Sequence, residues 1–169
     1  MRKTPTRRPA RRSYHHHDLP QALVEAALTL VADEGLAAVS LRRLAQQVGV
    51  SAAAPYRHFP TRAALLAAIA TDGYVRLRDA LTRASEAMRA HPDRILSAQG
   101  VAYVQFAVTA PGYFRIMQTP ELGDRTEFPA LQAAHDAAFL VLRSAVEAEQ
   151  QAGRFPPGNA DLLALGPWS

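Results

Sequence analysis

Apolar residues recur along this chain at intervals of three and four, the spacing that places them on one face of an α-helix. Leu19, Leu23, Ala26, Ala27, Leu30 and Val31 form a first stripe. It predicts a helix that opens at Asp18, whose carboxylate can cap free amides, carries Pro20 in its first turn and ends at Gly35. A shorter stripe follows at Leu41, Leu44, Ala45 and Val48, with Ser40 as its N-cap and Gly49 where a left-handed residue would close it. Val50 can then plug the corner, and Ser51 can cap another short helix running to Phe59, which points back into the core. Pro55 lies inside that helix but lacks only the donor that would bond to Ser51, so it should stiffen the first turn rather than abolish it.

Thr61 can cap a long helix through Leu65, Leu66, Ile69, Tyr74, Leu77, Leu81 and Met88, ending near His91 and Pro92. Gly73 within it is either a hinge or a close-packing point. Asp93 can cap the next helix, which carries Ile95, Leu96, Ala102, Tyr103, Phe106 and Ala107 and stops at Pro111 and Gly112. Tyr113, Phe114, Ile116 and Met117 make a short apolar helix, and residues 118–128 read as a polar loop. Pro129 fits the first position of a helix through Leu131, Ala134, His135, Ala138, Phe139, Leu142 and Val146, with a stop at Gly153. Asn159 can cap a last helix through Asp161, Leu162, Leu163 and Leu165. The pattern predicts an all-α chain.

Composition narrows the class. With 169 residues, of which 49% are apolar, the chain can bury a sizeable core. It has no cysteine, hence no disulfide framework and no thiolate metal site. No apolar run approaches the roughly 18 residues of a membrane span, and the basic start lacks the apolar centre of a signal peptide, so a cytoplasmic location is expected. The net charge of +4 is unevenly spread. Arg2, Lys3, Arg7, Arg8, Arg11 and Arg12 stand in the first twelve residues without an acid among them, and the remainder is close to balanced. Residues 1–13 therefore read as a mobile basic arm, which either neutralises DNA phosphates or only aids solubility.

Two short capped helices joined by a tight glycine-containing turn are the arrangement that presents the second helix to a DNA major groove. Candidate contacts are Ser40 and Arg42 on the first of them and Ser51, Ala52, Ala53, Pro55, Tyr56, Arg57 and His58 on the second. Alanine methyls can meet thymine methyls, Arg57 can bond guanine or phosphate, and Tyr56 and His58 can donate to phosphate oxygens. His15, His16 and His17 do not converge on one ion, so no metal is expected, and nothing calls for a cofactor. No nucleophile elbow, phosphate-binding glycine loop or His-Glu-x-x-His stands in the chain, which argues against an enzyme. Tyr103, Phe106, Tyr113, Phe114, Met117, His135 and Phe139 would gather between the later helices, as ordinary core or as the lining of a pocket.

Ser-Leu-Arg-Arg-Leu-Ala, Val-Gly-Val-Ser and Pro-Tyr-Arg-His-Phe-Pro-Thr-Arg-Ala-Ala-Leu resemble the DNA-binding domain of TetR-type transcriptional regulators, and Tyr14-His15-His16-His17-Asp18-Leu19 is similar to the approach to the first helix in one branch. The resemblance implies a three-helix helix-turn-helix domain at residues 14–75 and a helical effector-binding and dimerisation domain at residues 76–169. It also implies a phosphate contact from Arg62, which stands where the family usually has lysine. The implied partners are double-stranded DNA, a small and largely apolar effector, and a second copy of the chain. The implied function is a ligand-responsive repressor on a palindromic operator; the alternative is an interaction or ligand-binding module derived from one. Leu-Gly-Pro-Trp-Ser at residues 165–169 resembles the start of a segment that, in a branch with a Trp-His-Gly motif, continues into a further helix of the dimer interface. On that comparison the chain is truncated at its C-terminus or dimerises otherwise.

Overall fold

Among residues 19–161, which the computed structural model describes, the chain forms six α-helices joined by turns and short 3-10 segments. They are α1 (Leu19–Glu34), α2 (Leu41–Val48), α3 (Arg62–Ala87), α4 (Ile95–Thr109), α5 (Pro111–Met117) and α6 (Pro129–Gln151). The expected cap at Asp18, the basic arm, the histidine run and the tail beyond residue 161 lie outside the described residues.

α3 is the axis of the molecule. Thr61 caps it, its hydroxyl oxygen accepting from the Ala64 amide at 3.0 Å, and the helix buries Leu65, Leu66, Ile69, Tyr74, Leu77 and Leu81 along one flank. Its first turns share a buried cluster with residues of α1, α2 and Phe59, and the helix packs against α6 and α4. α5 sits beside the middle of α3 and also touches α1, where Arg115 donates to the Val31 carbonyl at 3.3 Å. The buried residues make one continuous cluster through both ends of the bundle.

Gly73 settles as a packing point. A methyl built there would lie 2.6 Å from Met117 Sδ, so the missing side chain is what lets α5 approach α3. Pro111 and Pro129 occupy first-turn positions, where a missing N–H leaves no bond unmade. Asp93 departs from expectation. Pro92–Arg94 is a 3-10 turn, α4 starts after it, and its N-cap is Arg94 without a side-chain cap bond. The polar stretch 118–128 holds two 3-10 turns, Pro120–Leu122 and Arg125–Glu127. Asn159 caps the helical residues 160–161 as expected, its Oδ1 accepting from the Asp161 amide at 2.9 Å.

Candidate nucleic-acid interface and the second-domain cleft

α2 is held at both ends by its own sequence. The Ser40 hydroxyl oxygen accepts from the Arg43 amide at 3.2 Å. At the other end Gly49 takes φ 82°, and the Val50 amide reaches back to the Ala45 carbonyl at 2.9 Å, so the last carbonyls are satisfied and the chain turns sharply. Leu41, Leu44 and Ala45 are buried, while Arg42 is exposed on the opposite face.

The segment after the turn differs from the α-helix that the sequence predicts. Only Pro55–Arg57 is helical, and it is 3-10. Proline has no N–H to bond to Ser51, and the Ser51 carbonyl accepts instead from the Ala54 amide at 3.0 Å. The His58 amide then bonds the Pro55 carbonyl at 3.0 Å, and the Phe59 amide makes one i→i+4 bond to the same carbonyl at 2.9 Å before Pro60 breaks the chain. The turn is tightened at its start, and only a single i→i+4 bond forms before the chain breaks.

Its sidedness follows from this winding. Pro55 and Phe59 are buried and anchor the segment; Pro55 is thereby a packing residue and not part of the outward face on which the sequence places it. Ser51, Ala52, Ala53, Tyr56, Arg57 and His58 are exposed, Tyr56 by 52%. Neither Arg42 nor Arg57 enters an ion pair among the described residues, so this face keeps its positive charge uncompensated, whereas Arg43 is paired with Glu34. Arg62 is only partly exposed, and its guanidinium lies against backbone carbonyls and Glu121.

Further along α3 the expected aromatic residues form contacts, though not a single lining. His135 is stacked on Phe139 at 6.3 Å and meets the edge of Tyr74 at 5.2 Å; Tyr103 and Phe114 make an edge contact at 5.7 Å. Met117 is buried against Gly73. Tyr113 lies beside Met117 at Gly73. It donates to Asp72 at 2.8 Å with Arg76 over its ring, and its phenol is pushed up from 10 to about 12, by burial first and then by the Asp72 carboxylate that accepts its proton. Phe106 lines an open groove of about 870 Å³ with Arg76, Asp79 and Arg83.

None of the seven residues lines the open cleft of about 840 Å³ between the far end of α3, the start of α4 and the second half of α6. Ile95, Leu140, Val141 and Ala145 supply its apolar surface. At its base Gln99, 1% exposed, donates through Nε2 to the Ser85 hydroxyl at 2.8 Å, while its Oε1 has no partner among the described residues. Arg154 holds Glu149 at the rim by two bonds of 2.8 and 2.9 Å, which keeps that carboxyl below its ordinary range.

Comparison with known proteins meets this geometry at both ends of the chain. Residues 23–69 match the model for bacterial regulatory proteins of the tetR family, and residues 96–169 match the tetracyclin repressor-like C-terminal domain. The chain belongs to the TetR family. Over 141 residues it is 27% identical to the uncharacterised HTH-type transcriptional regulator YobS of Bacillus subtilis (strain 168), spanning 83% of this chain and 73% of that one. A solved protein of unknown function from Rhodococcus sp. RHA1 is 34% identical with a TM-score of 0.75, covering 92% of this chain and 79% of its own. A tetR-family regulatory protein from Rhodococcus RHA1 is 28% identical with a TM-score of 0.72, covering 88% and 78%. This TetR-family chain is thus a DNA-binding transcriptional regulator with an N-terminal helix-turn-helix and a C-terminal helical domain. Among the described residues no helix is long and apolar enough to cross a membrane.

Sequence reasoning misses two polar residues of this TetR-family chain. Gln99 interrupts the apolar stripe of α4 four residues after Ile95, which is a readable signal. Glu121 gives none, because its partner Arg62 is 59 residues away.

Proposed function

We propose that the chain acts as a ligand-responsive repressor, a homodimer that places the faces at residues 51–58 in successive major grooves of a palindromic operator. The observation that carries this reading is the sidedness of that segment: Pro55 and Phe59 fix it from within, and Ser51, Ala52, Ala53, Tyr56, Arg57 and His58 face outward beside Arg42, which has no ion-pair partner among the described residues. Small residues permit close approach, Arg57 reads guanine or phosphate, and Tyr56 and His58 hold phosphates, with Ser40 and Arg62 flanking the groove. The domains divide at about residue 75, after the basic arm of residues 1–13. Their work is binding alone, without a catalytic step, and it takes place where the DNA is, in the cytoplasm.

The effector's place is the second domain. Along α3, the helix-turn-helix lies at the first turns, Tyr103, Phe106, Tyr113, Phe114, Met117, His135 and Phe139 are distributed around the following turns in separate contacts, and the cleft at Gln99 lies beyond. A mostly apolar molecule seated in the cleft and satisfying Gln99 Oε1 would press on Thr82 and Ser85 at the far end of α3 and tilt the helix. Two half-sites roughly 34 Å apart must be met together, so an effector that favours another spacing by a few kcal/mol releases the operator. The test is selection of bound fragments from random DNA, with light scattering of the free protein. A recovered palindrome and a dimer are the expected results; fragments without a shared sequence, or a strict monomer at working concentration, would overturn the reading.

A further inference from the structure

The guanidinium of Arg62 is divided among three acceptors on different parts of the chain. Nε donates to the Val39 carbonyl at 2.8 Å and Nη2 to the Leu36 carbonyl at 2.8 Å, both in the connection that leads into the Ser40 cap of α2. Nη1 donates to the carboxylate of Glu121, on the 3-10 turn Pro120–Leu122 after α5. The two carbonyls fix the plane of the guanidinium, so the Nη1 edge is the part left for an anion. Glu121 is equally fixed. It stands between the buried Thr119 and Leu122, and its amide donates to the Thr119 hydroxyl at 3.4 Å. Yet the pair is open to water, with side chains 28% and 46% exposed, so another anion can reach it.

We propose that Glu121 occupies, in the free protein, the place of a DNA phosphate on Arg62, and so acts as an intramolecular brake on DNA binding. Carboxylate and phosphate oxygens make the same demand on a guanidinium edge, and both cannot hold it fully. Binding DNA then releases the turn after α5 from the helix-turn-helix, and whatever holds Glu121 on Arg62 weakens DNA binding by the same factor. The proposal rests on the reading that Arg62 reaches a phosphate. It adds the second domain's own contribution to that contact.

The experiment uses the full chain and an operator duplex recovered by selection, with affinity measured across a salt series. Glu121→Gln is expected to bind roughly fivefold more tightly with a plot of log K against log salt close in slope to that of the wild type, because Arg62 neutralises the same phosphate in both complexes. In an Arg62→Gln background the same substitution should change nothing. Glu127→Gln, which removes an equal charge from the same connection without touching Arg62, should leave the affinity of the wild type. Equal gains from Glu121→Gln with and without Arg62 would overturn the proposal, since they would mean simple repulsion at a distance. An unchanged affinity in Glu121→Gln while Arg62→Gln weakens binding would overturn the brake and leave the phosphate contact standing. If Arg62→Gln itself keeps wild-type affinity and slope, the phosphate contact fails and the brake with it.

Discussion

Tyr113 shows how one side chain joins parts of the fold that the chain separates. Its phenol proton is held by Asp72 on α3, burial disfavours the phenolate, and the result is a pKa near 12 in place of 10. A group whose pKa is raised on folding contributes stability that is fully present below its unfolded value and is lost as pH rises through the folded one. The Tyr113 contribution should therefore persist to about pH 10 and fall away as pH approaches 12. Titration of phenolate absorbance should show a tyrosine class with a midpoint near 12 that Tyr113→Phe removes. A Tyr113 midpoint at the ordinary value of 10 would mean that the Asp72 contact is not kept in solution.

At the scale of elements, the sequence makes legible what is decided locally. Ser40, Gly49 and Thr61 act within a turn of themselves, and each does what its residue type predicts. Phe59 is buried, as the spacing requires. Pro55 defeats the sequence reading because one missing donor matters little in a long helix and much in a segment closed by Pro60 a few residues later. Gly73 is ambiguous in sequence because its reason lies across the interface, in Met117. That interface gives the element-scale prediction: Gly73→Val should lower stability by about 1–3 kcal/mol, since the added methyls have to displace a sulfur that is itself buried. Chemical denaturation measures it, and an unchanged midpoint would imply that α5 is free to move away from α3. Glu121 completes the contrast, because a contact spanning 59 residues leaves no trace in local pattern, whereas Gln99 is marked by its break in the apolar stripe of α4.

For the molecule as a whole, α3 is the continuous member shared by the helix-turn-helix and the second domain, with α5 and Glu121 as a second route between them. The two routes meet at the first turn of α3, close to the Ser40 cap that positions α2. A displacement in the second domain thus has direct mechanical access to the DNA-binding motif. On the proposed reading, the basic arm of residues 1–13 adds to DNA binding. Deleting residues 2–12 removes six cations and should flatten the salt dependence of DNA affinity by as much as about five units of slope. An identical slope would reduce the arm to a solubilising tail.

The most direct test of the account is the DNA affinity of Arg57→Ala on the selected operator, with the thermal unfolding midpoint as a control. Arg57 is exposed and enters no ion pair among the described residues, so its loss should cost about 1–3 kcal/mol of specific binding and leave the unfolding midpoint of the wild type. Unchanged affinity for the operator in a folded Arg57→Ala protein would contradict the assignment of this face to DNA.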